Sequence, residues 1–333
     1  MLTLLLFAVL IAGILLAVHH AEVVAHRVGE PFGTLILAVC VTAIETTLII
    51  SIMISKGPGS ELIARDAIYA AIMIVVNGIV GLSILVGGIR HHEMAFRIQG
   101  SNAALTVLAA LSTLTLVLPN FTTSIPGPFY TEGQLAFAGL CSIALYGTFV
   151  FVQTVRHRDY FLPVQVQSDS QSGSRQHAPA PSIRRTAISA VVLIVSLVLV
   201  VLLAKLLSPA IQSGVATIGA PKTLVGILIA AIVLAPESIA AVRAAIANRL
   251  QTSFNLALGS ALASIGLTIP AVAVVAIFLD LPLNLGLDSS SMILLLLTFI
   301  CGLSTLATGK TAVLHGAVHL VIFASYLFLT LVP

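Results

Sequence analysis

The chain has 333 residues, of which 59% are hydrophobic and only 8% are charged, and its mean hydropathy is +1.14. This composition lies far outside the range of soluble globular domains and indicates a polytopic membrane protein. The formal net charge of +3 arises from few ionisable groups, and no basic cluster is interleaved with aromatic residues, which argues against a nucleic-acid partner.

Long apolar runs divide the chain into predicted membrane spans. Backbone groups in lipid must find partners inside the protein, so a span is either a helix of about 20 residues or a strand of a closed barrel. The runs do not alternate with polar residues, so they predict helices and an all-α membrane protein. The ten predicted transmembrane helices cover residues 2–20, 31–55, 66–89, 102–119, 131–155, 184–207, 223–242, 253–279, 291–308 and 311–331.

One long polar segment, "RHRDYFLPVQVQSDSQSGSRQHAPAPSIRR" at residues 156–185, separates the fifth predicted helix from the sixth. It is rich in Ser, Gln and Pro and cannot bury a core, which predicts a flexible linker. The chain is thereby divided into a first five-helix half, residues 1–155, and a second five-helix half, residues 186–333.

The distribution of Lys and Arg between alternate loops predicts the orientation of the chain. Four of the 15 basic residues fall on one side, at Lys56, Arg65, Lys205 and Lys222. The other eleven fall on the opposite side, at Arg27, Arg90, Arg97, Arg156, Arg158, Arg175, Arg184, Arg185, Arg243, Arg249 and Lys310. Basic residues are enriched in cytoplasmic loops, so the linker is expected in the cytoplasm and both termini on the opposite side of the membrane.

The two halves are expected to form an inverted-topology repeat. Because each half contains five spans, the second half must enter the membrane from the opposite side, as in many secondary transporters. The second span of each half carries one carboxylate, in "ILAVCVTAIETTLII" around Glu45 and in "ILIAAIVLAPESIAAV" around Glu237. These two glutamates are therefore predicted to be equivalent positions of the repeat.

Both glutamates are predicted near the middle of the bilayer. Each lies about fourteen residues into its span, or about 20 Å from the start of the helix. An ionised carboxylate at that depth costs from about 2.5 to over 10 kcal/mol, so it must face a cavity, bind a cation or be protonated. A cation/proton exchanger requires these states, and the alternative is a pair of protonated structural glutamates.

Hydroxyl groups flank both carboxylates. Thr42 lies three residues before Glu45, while Ser238 follows Glu237 and Pro236 precedes it. Proline lacks a backbone donor and frees a carbonyl oxygen one turn earlier in the helix. These oxygens are candidate cation ligands, although a Ser or Thr within a helix also commonly donates to its own backbone.

The third span of each half holds a polar residue at a matched depth. Asn77 and Ser264 each lie about eleven residues into their spans. Asn77 is interpreted either as a cation ligand or as a hydrogen-bonding contact between helices, and for Ser264 the contact between helices is favoured. Asn255 lies nearer the cytoplasmic end of its helix and is a weaker candidate.

Two histidines, His315 and His319, lie one helical turn apart in the last span. This spacing places both rings on one helix face, but no acidic partner is near in the sequence. A structural or pH-modulating role is therefore favoured over metal binding.

Five stretches carry a resemblance to a known family: "AHRVGEPFGTLIL", "ARDAIYAAIMIVVNGIVGLSILVGG", "LVLPNFT", "LAPESIAAVRAAIANRLQTSFNLALGS" and "GKTAVLHGAVHLVIFASYL". They resemble the calcium/cation antiporter superfamily, and in particular its bacterial calcium/proton antiporters of the ChaA type. The resemblance implies a multi-pass exchanger of the bacterial inner membrane, so that both termini are expected in the periplasm. It further implies ten core helices, in which Glu45 and Glu237 bind cation and protons in turn. It also implies that Asn77 matches the asparagine of the first repeat and that Ser264 belongs to the small, polar segment of the second.

The expected function is exchange of cytoplasmic Ca2+ for protons by alternating access, with Na+/H+ or K+/H+ antiport as the alternative. Plant and fungal relatives have Gly-Asn before each glutamate, whereas this chain has Val41-Thr42 and Val233-Leu234, so the choice of cation stays open. No resident cofactor is expected, and the expected partners are inorganic cations, protons and membrane lipid. A channel would need a continuous polar lining and an enzyme would need a catalytic motif, and the sequence shows neither.

Overall fold

The computed structural model describes residues 2–29, 32–54, 59–162, 181–217, 221 and 223–332. This part of the chain is almost entirely helical, which confirms the predicted all-α class. The α-helices are α1 (Leu2–Val28), α2 (Phe32–Ile54), α3 (Ile63–Met73), α4 (Val80–His91), α5 (Ile98–Ser112), α6 (Glu132–Phe151), α7 (Ile183–Thr217), α8 (Thr223–Ile246), α9 (Leu250–Phe278), α10 (Ser289–Leu306) and α11 (Val313–Leu331). Most of the predicted linker, residues 163–180, lies outside the described residues.

The helices have the length and apolarity of membrane spans. Within the described ranges, nine helical segments have at least 18 residues and the hydropathy needed to cross a bilayer. The second predicted span falls on α2, whose described apolar stretch, Ala38–Ile54, is shorter. These segments make the chain a multi-pass membrane protein, while the count of ten spans remains a prediction.

Three of the predicted spans include a π-helical turn, which accommodates an extra residue in the helix. These turns are Ile74–Ile79 between α3 and α4, Thr113–Val117 after α5, and Val152–Arg156 after α6. The turn Thr113–Val117 leads into a 3-10 turn, Leu118–Phe121, and a second 3-10 turn spans Arg158–Phe161. Because π-helical turns often mark functional positions, the location of Asn77 in the first one bears on its role.

The core of the protein is formed where helices of the two halves pack against each other. Helix α2 of the first half packs on α9, and α8 of the second half packs on α3. In the same reciprocal way, α6 packs on α9 and α11 packs on α4, while α1 and α7 pack against each other. This exchange of partners brings α2 and α8, which carry the two glutamates, to the centre of the helix bundle.

A two-stranded antiparallel ribbon joins loops from the two halves. Strand β1 (Met94–Ala95) follows α4, and strand β2 (Lys310–Thr311) connects α10 to α11. The backbone of Phe96 extends the pairing by donating to the carbonyl of Gly309 at 3.0 Å. The ribbon therefore fixes the end of α4 beside the start of α11.

Candidate cation and proton site

Glu45 is a buried carboxylate that bridges two helices. It lies in α2 with a relative exposure of 1%, and its Oε2 accepts a hydrogen bond of 2.5 Å from Ser264 Oγ of α9. Its Oε1 is also buried and has no hydrogen-bond partner in the part of the chain that the structure describes. The Oε1 atom is thus available to accept a proton or to ligate a cation.

Glu237 makes the matching contact from the other half of the chain. It lies in α8 directly after Pro236, is 5% exposed, and accepts a short hydrogen bond from Ser260 Oγ of α9. Ser260 and Ser264 are four residues apart, so they lie on one face of α9 and about 6 Å apart along its axis. The two carboxylates are consequently attached to neighbouring turns of α9.

Further hydroxyl groups line the contact between α2 and α9. Thr46 Oγ1 lies 2.8 Å from Thr268 Oγ1, one turn beyond Ser264 on α9. Thr42 is buried and lies three residues before Glu45, which places it on the same face of α2. The face of α2 toward α9 therefore combines one carboxylate with two hydroxyl groups.

The hydroxyl group of Ser238 has a different partner. Ser238 Oγ donates to the carbonyl of Leu234 at 2.7 Å, within its own helix. Hydroxyl groups beside the glutamates were expected either to bind a cation or to donate to their own helix backbone, and in this structure Ser238 does the latter. A ligand role for Ser238 stays a prediction, and it would require this hydroxyl to rotate.

Asn77 belongs to a separate buried cluster in which its amide is fully used. Its Nδ2 donates to Thr298 Oγ1 of α10 at 2.8 Å, and its Oδ1 lies 3.0 Å from His319 Nδ1 of α11. Because an amide oxygen can only accept, Nδ1 of His319 carries the proton, and Nε2 faces Thr305 Oγ1 at 3.2 Å. In this structure Asn77 connects three spans, and its role as a cation ligand remains untested.

The two histidines of α11 do not form a pair. His319 belongs to the Asn77 cluster, whereas His315 Nδ1 accepts from the backbone of Ala312 at 3.3 Å and caps the start of α11. No group of three His, Cys, Asp or Glu side chains suited to a metal ion occurs among the described residues. Both histidines make hydrogen bonds within the protein, and a pH-modulating role for them stays a prediction.

A narrow crevice reaches Glu237 from one end of the bundle. It has a water-accessible volume of about 30 Å³, and Glu237 and Ser260 lie at its inner end. Gln153 and Asn255 line it near the ends of their helices, on the side that carries most of the basic loops. Asn255, a weaker candidate in the sequence, thus lies on the access route, where its Nδ2 donates to the carbonyl of Phe161 at 2.6 Å.

A larger cavity of about 320 Å³ lies at the opposite end of the bundle and contains another buried acid, Asp66. Asp66 forms an ion pair of 2.8 Å with Arg65. Asp288 also lines the cavity and caps the start of α10. Burial raises the pKa of Asp288, but hydrogen bonds from Ser290 and Ser291 lower it by more, so the pKa lies below its usual value. Both carboxylates have partners here, so their contacts are accounted for structurally.

Comparison with known proteins identifies the family of the chain. The chain matches the family described as sodium/calcium exchanger protein over residues 1–155 and 188–332. The chain belongs to this family. The resemblance predicted from the sequence motifs is therefore confirmed.

Two relatives from this group extend over nearly the whole chain. A putative ionic transporter, y4hA of Sinorhizobium fredii, is 48% identical over 331 residues, covering 99% of this chain and 89% of the relative. The sodium-potassium/proton antiporter ChaA of Escherichia coli is 34% identical over 310 residues, covering 93% of this chain and 83% of the relative. Membership of the ChaA-like group of exchangers rests on these long matches.

The fold is also that of a solved exchanger. The H+/Ca2+ exchanger CAX superposes with a TM-score of 0.73 at 16% identity, covering 98% of this chain and 80% of that chain. At this identity the likeness concerns the fold alone. The helical bundle of this chain therefore has the same fold as that solved structure.

Proposed function

We propose that the chain is a secondary active transporter that exchanges cytoplasmic Ca2+ for protons at a site formed by Glu45 and Glu237. The observation that carries this proposal is the attachment of both carboxylates, one from each half, to Ser264 and Ser260 on one face of α9. Family membership supports transport of cations.

Charge balance explains why such a site exchanges cations for protons. Two ionised carboxylates this deep in a bilayer are costly unless a cation or protons neutralise them. One Ca2+ and two protons carry the same charge, so the occluded site is neutral in both states and leaves no buried charge uncompensated. Glu45 and Glu237 thus bind either one Ca2+ or two protons, and these loads compete.

The oxygen atoms near the site suit calcium. Ca2+ binds six to eight oxygens in a flexible shell. Glu45 and Glu237 supply up to four, the hydroxyls of Ser260, Ser264 and Thr42 add three, and water supplies the rest. Ser238 and Asn77 are further ligands only if they exchange the partners that they have in this structure.

Alternating access is supported by the shape and packing of the bundle. The crevice to Glu237 opens on the side that is cytoplasmic by the positive-inside rule, while the cavity beside Asp66 lies at the opposite end. The reciprocal packing of α2 on α9 and of α8 on α3 is the arrangement expected of two inverted five-helix repeats. The resemblance to the family assigns the sliding motion to α1 and α7.

The second candidate function is Na+/H+ or K+/H+ antiport through the same two glutamates. It is favoured by the 34% identity to a relative named as a sodium-potassium/proton antiporter. A monovalent ion neutralises only one carboxylate, so the other must keep its proton. The site therefore releases one proton for each monovalent cation that it binds, but two protons for each Ca2+.

Proton flux in everted membrane vesicles distinguishes the two candidates. At alkaline pH we expect micromolar Ca2+ to collapse a preformed proton gradient, whereas Na+ or K+ should require millimolar concentrations. Vesicles that contain the Glu45→Gln variant serve as the control. Collapse by Na+ or K+ at concentrations where Ca2+ has no effect would reject calcium as the preferred cation and support the second candidate.

The orientation of the chain gives a separate prediction. In a variant whose cysteines 40, 141 and 301 are replaced by Ala, a cysteine introduced at Ser172 of the linker should resist an impermeant maleimide in intact cells. A cysteine at Ser124, in a loop predicted on the other side, should be labelled under the same conditions. Labelling of the Ser172→Cys variant in intact cells, with Ser124→Cys protected, would reverse the orientation.

A further inference from the structure

A partly open cavity of about 300 Å³ lies between α1 and α7, at the ends of these helices that carry basic residues. Its lining consists of His19, His20, Val23, Ser182, Arg184, Arg185, Ile188 and Ser189. Neither glutamate of the exchange site lines it. We propose that this cavity binds the phosphate group of an anionic phospholipid from the cytoplasmic leaflet.

Two arginine side chains supply most of the positive charge. Arg184 and Arg185 are adjacent in α7, and neither forms an ion pair with a carboxylate in the described ranges. A guanidinium group binds phosphate through two parallel N–H···O bonds, which makes arginine well suited to headgroup recognition. His19 and His20 face them from α1, so a phosphate in the cavity contacts both helices.

The start of α7 adds to the attraction for an anion. This helix has 35 residues, and its N-terminus carries a partial positive charge beside the arginines. Ser182 Oγ accepts a hydrogen bond from the backbone N–H of Arg185 at 3.3 Å, and the other N–H groups at this end can attract an anion. Across the cavity, His20 Nδ1 is buried and has no hydrogen-bond partner among the described residues. The residue itself lines the cavity, so a rotation of the ring that exposes this nitrogen would give it a phosphate oxygen as a partner.

The position of the cavity identifies a lipid as the source of the phosphate. His19 and His20 lie at the end of the first apolar run, residues 2–20, which is the depth of the headgroup region. Beside the cavity, Ile188 and Val191 of α7 are 53% and 61% exposed, and they offer an apolar surface to an acyl chain. Basic pockets between transmembrane helices on the cytoplasmic side are a known setting for anionic headgroups.

A bound headgroup would connect two helices that already pack closely. A Cβ atom added to Gly13 of α1 would lie 3.3 Å from Val200 of α7, so the two helix backbones approach each other tightly. At the rim of the cavity, Arg27 Nη1 donates to the carbonyl of Pro181 at 3.0 Å. The lipid phosphate therefore adds a contact between α1 and α7, and anionic lipid should stabilise the folded protein.

The test measures lipid binding to the purified full-length chain in detergent by native mass spectrometry. The probes are phosphatidylglycerol and phosphatidylcholine with identical acyl chains, and inorganic phosphate. Wild-type protein should retain phosphatidylglycerol in preference to phosphatidylcholine. The double variant R184Q/R185Q should bind phosphatidylglycerol more weakly, by about fivefold for each arginine removed.

The matched control is R243Q/R249Q, which removes two exposed arginines from the same predicted side without altering the cavity. It should bind phosphatidylglycerol as the wild type does. The single variants R184Q and R185Q should bind this lipid with affinities between those of the wild type and the double variant R184Q/R185Q. They keep the test decisive if the double variant does not fold. Equal losses in both double variants, or no preference between the two lipids, would overturn the proposal. Binding of inorganic phosphate as tight as that of phosphatidylglycerol would assign the cavity to free phosphate and also overturn it.

Discussion

Replacing either glutamate with glutamine should reduce cation-dependent proton flux to the level of membranes that lack the protein. Glu45→Gln and Glu237→Gln keep the size of each side chain but remove the carboxylate to which we assign the exchange of protons for a cation. A single remaining carboxylate cannot balance Ca2+ and cannot release two protons. The measurement is cation-induced collapse of a proton gradient in everted vesicles that contain equal amounts of each variant.

Two comparisons make this prediction specific to the carboxylates. Thr47→Ala changes a side chain two residues from Glu45 whose hydroxyl donates to the carbonyl of Ala43 in its own helix at 2.7 Å, so it should retain wild-type flux. Each glutamine variant should still insert and elute as a folded protein, since an amide oxygen accepts the serine hydroxyl as a carboxylate oxygen does. Wild-type flux in either glutamine variant would remove that residue from the exchange site.

The two glutamates were predictable from sequence because a carboxylate in a membrane span is expensive. The predicted spans contain only two other carboxylates, Asp66 and Glu132, and both lie at the start of their spans, so Glu45 and Glu237 are prominent in the interior of theirs. Ser264 was also identified by its depth, although its favoured role was a contact between helices. The structure shows this contact, and its acceptor is the carboxylate of Glu45.

Ser260 was not predicted as a functional residue, because its role depends on the rotation of α9 about its own axis. In the sequence it is one small residue among several, and nothing local distinguishes it from Gly259 beside it. Its spacing of four residues from Ser264 was the available signal. Only the packing of α2 and α8 on one face of α9 turns that spacing into a pair of carboxylate contacts.

The partners of Asn77 were beyond prediction for a similar reason. Its contacts with Thr298 and His319 join residues more than 200 positions apart in the sequence. The π-helical turn that contains Asn77 has no hydropathy signal, because an extra residue in a helix does not change its composition. Depth in the membrane identified the residue, but the helix neighbours decided its hydrogen bonds.

Span positions were predicted better than helix ends. The first predicted span ends at residue 20, whereas α1 continues to Val28, and the sixth ends at 207, whereas α7 continues to Thr217. Hydropathy marks the part of a helix that lies in hydrocarbon, and a helix with polar residues can extend past it. The extension of α1 is what brings Arg27 to the carbonyl of Pro181.

A large side chain at Gly226 should separate α8 from α3 and abolish transport although no titratable residue is replaced. A Cβ atom added there would lie 2.8 Å from the backbone nitrogen of Ala67 and 2.9 Å from the carbonyl carbon of Asp66. Backbone atoms in a packed helix cannot move aside as the end of a flexible side chain can, so Gly226→Leu forces the helices apart. Overpacking of this kind costs about 1–3 kcal/mol, and more where backbone must shift.

The expected result for Gly226→Leu is a lower thermal unfolding temperature in detergent. We also expect loss of Ca2+-dependent proton flux, because Glu237 lies three turns further along α8 and its position depends on the same packing. The matched control is Gly147→Leu in α6, where an added Cβ atom meets nothing within 4 Å and the new side chain faces lipid. This control should unfold at or above the wild-type temperature, since leucine favours helix over glycine by up to about 1 kcal/mol, and it should transport normally. Wild-type stability and flux in Gly226→Leu would mean that the close contact between α8 and α3 does not position Glu237.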